Sequence, residues 1–188
     1  MRKTLQGSIV ANNFIDLYEQ VLSAASWTED FCQILGPIMV LKDNKSISFL
    51  SSLLSLPPEE VICELLGVQS IIKIPGDDNK PLMLYHTSLR DFLTIQSRSK
   101  QYFIDPPLRH LHLAKYCLQH LVKYPSKDFF ESHVTKYACF NWPHHILLGF
   151  QKQEFTVDET IMTSLVTLIE HLLTFQEFYS CYCFVCRM

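Results

Sequence analysis

Apolar residues recur with helical spacing up to Val68 and then switch to two short extended runs, Ile71–Ile74 and Leu82–Tyr85, separated by the turn-forming stretch PGDDNKP. That switch constrains the fold more than any other feature, because a helical stripe and a strand bury their residues with different periods. Upstream, Phe14, Leu17, Tyr18, Val21 and Leu22 form one stripe behind the capping candidates Asn12 and Asn13. A second stripe runs through Phe31, Ile34, Leu35, Ile38 and Met39, and its Gly36-Pro37 step is expected to kink or break it. Ser46 is placed to cap a third helix that buries Ile47, Leu50 and Leu54. Pro57 and Pro58 open a fourth, with Glu59 and Glu60 at its positive end and Val61, Leu65 and Val68 inward. Three helices followed by a hairpin is the order of a winged helix, with PGDDNKP as the wing. The hairpin runs into HTSLRDFL, where Thr87 or Ser88 can cap a short helix and Ser88 to Asp91 has capping-box spacing.

The second half reads as helices. PPLRHLHLAKYCLQHLVK turns Leu111, Ala114, Leu118 and Leu121 inward, YACFNWPHHILL is expected to be helical up to Pro143, and DETIMTSLVTLIEHLLTF is a further amphipathic segment. The expected chain is therefore mostly α with one small β-hairpin, an α+β architecture. A winged-helix domain with a preceding helix takes residues 1–96. A helical bundle module takes 97–188, with the tail from about 176 unassigned.

Charge and composition exclude several functions. The net charge of −3 and the pI near 6.2 provide no basic field for tracking phosphates. The helix from Pro58 to Val68 carries Glu59, Glu60 and Glu64 and neither Lys nor Arg, which argues against nucleic acid as a partner. No stretch approaches the ~20 apolar residues that span a bilayer, and the first residues lack the apolar core of a signal peptide. No membrane partner is expected. Seven cysteines in no regular spacing point to reduced thiols and a cytoplasmic chain.

The catalytic motifs are missing too. None of the five glycines belongs to a phosphate loop or a dinucleotide fingerprint, and there is no nucleophile elbow or zinc-protease helix. No enzyme activity, no catalytic residue and no cofactor held by this chain alone is expected. Cys181, Cys183 and Cys186 offer three thiols where tetrahedral zinc wants four ligands; His171 would have to complete the set, and no metal is expected. His110 and His112 point to different faces of one helix, and His144 and His145 are adjacent and likewise diverge, so all four read as partly exposed helix histidines. Arg109, Lys115, Lys123 and Lys127 are interleaved with acidic and polar residues and read as a solvated face. His86 differs from these. It lies where a wing strand gives way to a helix, and a neutral imidazole fixed there can offer an N–H to an anion.

In this order the segments LYEQVLSAA, FCQILGPIMVL, SISFLSSLL, the hairpin, LYHTSLRDFL and YACFNWPHHI resemble the region that follows the nucleotide-binding core of NACHT-type STAND ATPases, the NLR-like proteins abundant in filamentous fungi. The resemblance covers roughly residues 14–148. YHTSLRDFL carries it most specifically, resembling the family's aromatic-His-x-Ser-Phe-x-Asp/Glu-Phe signature at the wing, with Leu89 in place of the phenylalanine. It implies a signal-transduction role of the innate-immunity kind. His86, supported by Tyr85, Ser88 and Asp91, would sense bound ADP through its β-phosphate and hold the closed, inactive state. ADP or ATP would enter only with a nucleotide-binding domain of the parent or of a related protein. The missing phosphate loop, the shortened VKYPSKDFFESHVTK and the Cys-rich end depart from the family, and imply a piece of a longer protein. A nonfunctional gene fragment and a winged-helix DNA-binding protein are the alternative readings.

Overall fold

The computed structural model describes residues 14–124 and 132–150, together with the helical positions 159, 162, 163, 166, 167 and 170. The proposed caps Asn12 and Asn13, Lys127, most of DETIMTSLVTLIEHLLTF and the set Cys181, Cys183, Cys186 and His171 lie outside the described residues. The chain divides into two compact units, residues 1–51 with 56–109, and residues 52–55 with 110–188.

The first unit begins with α1 (14–24), followed by α2 (Glu29–Val40), α3 (Ile47–Leu54) and α4 (Pro58–Leu66). Strands β1 (Ile72–Lys73) and β2 (Met83–Leu84) pair antiparallel, Ile72 opposite Leu84. This is the winged-helix order, in a mostly helical α+β chain. A bridge between Ser46 and Pro81, with the Leu82 N–H donating to the Lys45 carbonyl at 2.9 Å, adds the residues before α3 to the hairpin's edge. The wing turn is ordered from within: Asp77 Oδ1 accepts from the Asn79 N–H at 3.0 Å. The turn is also tied to the fold, because the Ser48 N–H, unpaired within the first turn of α3, donates to the Asp78 carbonyl at 2.9 Å. Ser46 caps α3 as expected, its Oγ accepting from the Phe49 N–H at 3.2 Å.

The core takes Tyr18 and Leu22 from α1, Phe31, Ile34, Leu35 and Met39 from α2, and Val61 and Leu65 from α4. Leu17, expected inside, is 41% exposed; the buried stripe of α1 is narrower than its sequence pattern. The hairpin is followed by α5 (Ser88–Thr94), whose Leu89, Phe92 and Leu93 are buried. Next come α6 (Gln96–Ser99) and a short 3₁₀ turn at Lys100–Tyr102. The unit runs past the boundary expected at residue 96 because this stretch folds back on it. The Ile104 N–H donates to the Leu93 carbonyl at 2.8 Å, and Tyr102 meets Trp27 edge-on at 5.1 Å between ring centres.

Two expectations are corrected in α2. Gly36-Pro37 neither breaks nor ends the helix, which is continuous from Glu29 to Val40. Thr28 caps its start, accepting from the Phe31 N–H at 3.1 Å, and Arg90 reaches its end, donating to the carbonyls of Ile38 at 3.4 Å and Leu41 at 3.0 Å. Arg109, read as part of a solvated face, is buried instead. Its stem lies across Gly36 and its guanidinium donates to Glu29 Oε1 at 3.1 Å. The glycine is there for space: a Cβ at residue 36 would stand 2.6 Å from Arg109 Cδ.

In the second unit α7 (Pro106–Lys123, whose first residues belong to the first unit) buries Leu111, Ala114, Leu118 and Leu121 as expected, and Leu113 and Cys117 besides. The helix α8 (His133–Gly149) was expected to stop at Pro143 but passes through it. Its N-cap Ser132 accepts from the Thr135 N–H at 3.3 Å, and Val134, Ala138, His145 and Gly149 make one buried stripe that crosses the proline. Packing on both sides of Pro143 outweighs the loss of one backbone donor. Cys32, Cys63, Cys117 and Cys139 are free thiols.

The α2 geometry predicts the sign of one substitution. Alanine favours a helix over glycine by about 1 kcal/mol, whereas overpacking a filled site costs about 1–3 kcal/mol. Gly36→Ala is therefore expected to destabilise the chain in urea unfolding. The same change made on an Arg109→Ala background should become neutral or stabilising.

Candidate functional site

His86 follows β2 directly, and its position is set by the start of α5. Thr87 has helical backbone angles (φ −65°, ψ −24°) and no side-chain capping bond, so His86 occupies the capping position. The ring makes the cap. His86 Nδ1 accepts from the Ser88 N–H at 3.1 Å, while the His86 carbonyl accepts from the Leu89 N–H at 3.2 Å and the Thr87 carbonyl from the Arg90 N–H at 3.1 Å. The expected cap by Thr87 or Ser88 and the Ser88–Asp91 capping box are thus replaced. Ser88 Oγ instead lies 2.7 Å from His86 Nδ1 and 2.8 Å from the Tyr18 hydroxyl.

These contacts choose the tautomer. A backbone N–H can only donate, so Nδ1 must present its lone pair and the proton of the neutral ring sits on Nε2. Phe14 stacks on the imidazole at 4.5 Å between centroids with planes 27° apart, and Tyr18 packs against Phe92 at 5.4 Å. The ring is therefore held on its Nδ1 side by α5 and on one face by α1. Nε2–H has no hydrogen-bond partner among the described residues and belongs to an exposed side chain. Chemically the arrangement is a fixed single donor suited to an anionic oxygen.

The predicted supporting residues divide. Ser88 is part of the site. Tyr85 is 63% exposed beside it, and Asp91 is exposed on the first turn of α5 with no hydrogen bond to the ring. Phe14 and Tyr18, which hold and orient the imidazole, were read only as core positions of α1. Their role arises because an aromatic at the start of α1 and another one turn later face α5, a tertiary contact that no local pattern encodes.

The histidines set aside as partly exposed also form an unexpected group. His145 is 4% exposed; its Nδ1 lies 3.0 Å from His110 Nδ1, and its Nε2 lies 2.6 Å from the Tyr137 hydroxyl. His120 is buried as well, with Nδ1 3.2 Å from the Ser52 carbonyl and Nε2 3.1 Å from Thr135 Oγ1. Burial pushes His145 down to about 3, helped by the neighbouring His110 and His144, and lowers His110 and His120 below the ordinary imidazole value. Among the described residues no group of three or more His, Cys, Asp or Glu side chains is placed to hold a metal. An open groove beside Asp16, Glu19, Lys100 and Tyr102 is polar, with Glu19 and Lys100 3.9 Å apart, and contains no nucleophile paired with a base.

No helix among the described residues is long and apolar enough to cross a membrane. Comparison of the chain with protein-family models, with curated proteins and with solved structures finds no match.

The geometry predicts that imidazole nitrogen NMR of His86 finds the proton on Nε2 at neutral pH, with Nδ1 in the acceptor state. Tyr18→Phe should leave that tautomer in place and lower stability by about 1 kcal/mol through the lost hydroxyl bond. A proton found on Nδ1 would contradict the capping assignment.

Proposed function

We propose that this chain is a non-catalytic regulatory module of a NACHT-type switch ATPase, working in the cytoplasm beside a nucleotide-binding domain supplied by its parent or by a related protein. The observation that carries the reading is the outward Nε2–H of His86, held at the junction of wing and helix by Ser88 on one side and Phe14 on the other. A donor fixed in this way suits the β-phosphate of ADP. The contact would favour the ADP-bound, closed state over the open one.

Such a hydrogen bond to a charged phosphate is worth about 1.5–3 kcal/mol. As a difference between two states it biases a switch by roughly 10–150-fold. That range suffices for a signal-transduction element, and it requires no chemistry from this chain. ADP or ATP enters only with the partner domain, because the sequence has no phosphate loop. Glu59 and Glu60 lie exposed on α4, the helix that a DNA-reading winged helix would use, which weighs against the nucleic-acid alternative.

The test is ADP release from a protein that joins this chain to its nucleotide-binding domain. His86→Ala is expected to speed release by about tenfold or more and to raise basal activity. Ser88→Ala, which leaves the ring but loosens it, should have a smaller effect in the same direction. Release at an unchanged rate from the His86→Ala protein would sink the assignment.

A further inference from the structure

We propose that the α7–α8 pair is an acid-responsive joint: proton uptake by the histidines that bridge it releases α8 from α7, while the winged-helix unit keeps its fold. The inference goes beyond the nucleotide reading and does not depend on it.

Two imidazole bridges stand at opposite ends of the pair. Near the start of α7, His110 meets His145 near the end of α8; near the end of α7, His120 meets Thr135 near the start of α8. Each bridge uses the neutral ring. The two Nδ1 atoms facing each other at 3.0 Å have room for one hydrogen between them, so with both rings charged the bond becomes N–H against N–H. At His120 the Ser52 carbonyl can only accept, which places the proton on Nδ1 and leaves Nε2 to accept from the Thr135 hydroxyl. Charging this ring converts Nε2 into a donor, so the Thr135 hydroxyl must turn a lone pair to the ring and send its own O–H elsewhere.

Among the described residues, what faces these rings weighs against a positive charge, the Ser52 carbonyl beside His120 being the exception. The titratable or charged groups around His110 and His145 are each other, His144 and the Tyr137 hydroxyl. Around His120 they are Lys123 and Tyr124, with Thr135 and the Ser52 carbonyl as uncharged partners. None of these named groups is a carboxylate, and His144 and Lys123 are potential cations besides the paired rings themselves. The sign follows from the lowered folded values. A histidine that binds its proton more weakly in the folded than in the unfolded chain contributes stability that is complete above about pH 6.5 and is lost as pH falls below it. The two units differ sharply here: His86 is the one histidine of residues 1–51 and 56–109, and the other seven of the chain's eight fall in 52–55 and 110–188.

Backbone hydrogen exchange of the full chain at pH 7.5 and pH 5.0, corrected for the intrinsic pH dependence of exchange, tests the proposal. Opening of amides in 111–121 and 133–149 should rise by up to about thirtyfold for each histidine that must take up a proton, since pH 5.0 lies about 1.5 units below the free imidazole value. Amides in 61–65 and 89–93 should change by less than about threefold. His120→Gln is expected to lose part of the acid response, and His133→Gln, at the exposed start of α8, to keep more of it than His120→Gln does. Equal acid sensitivity of both sets of amides, or none in either, would overturn the proposal. So would a His120→Gln chain, folded at pH 7.5, that responds to acid like the parent. If His120→Gln does not fold at pH 7.5, the comparison of the two amide sets in the parent chain decides.

Discussion

A helix of seven residues does not persist in water on its own, since isolated helices shorter than about 12–15 residues are marginal. Segment α5 exists because Leu89, Phe92 and Leu93 are almost completely withdrawn from solvent, each burial worth about 1.5–3 kcal/mol. Much of the first unit hangs on that anchoring. Arg90 leaves the flank of the same helix to meet the last carbonyls of α2, Phe92 receives Tyr18 from α1, and the Leu93 carbonyl fixes the return of the chain at Ile104. The capping position at the head of α5 is consequently where the hairpin, α1 and α5 converge, and His86 occupies it.

The order of elements was legible in the sequence because the relevant signals are local. Helical stripes of α2, α3 and α4, the Ser46 cap and the turn residues of the wing each act within a few positions, and each appears where its pattern places it. The misses share one cause. Gly36-Pro37 and Pro143 are local helix breakers, yet both helices continue because side chains distant in sequence supply what the breaker removes: Arg109 fills the space over Gly36, Arg90 takes the carbonyls after Pro37, and burial of His145 and Gly149 holds α8 together beyond Pro143. Arg109 itself looked like a surface cation, since nothing adjacent to it in sequence announces Glu29 or the gap above Gly36.

For the candidate site, the sequence singled out His86 and Ser88 but misread what they do to each other. Serine is the usual cap and histidine the usual functional group; here the imidazole caps the helix and the hydroxyl buttresses the imidazole. Phe14 and Tyr18 were invisible as site residues because their stripe also explains them as core. The histidine bridges of the second unit were missed for a traceable reason. Ending α8 at Pro143 cut its buried stripe before His145, and the divergence of adjacent His144 and His145 did not tell which of them faces inward.

The use of one ring for two purposes narrows what residue 86 can be. Aspartate, serine and threonine are stronger natural helix starters, but their oxygen would take the place of Nδ1 and their short side chains carry no second group to the position of Nε2–H. Lysine and arginine would keep a donor and leave the Ser88 N–H without its partner. Stabilising this helix by a conventional capping substitution would therefore erase the outward donor, and strengthening the donor with a permanent cation would unseat the helix. Folding and recognition compete for the same five-membered ring, so neither can be optimised at this position without loss of the other.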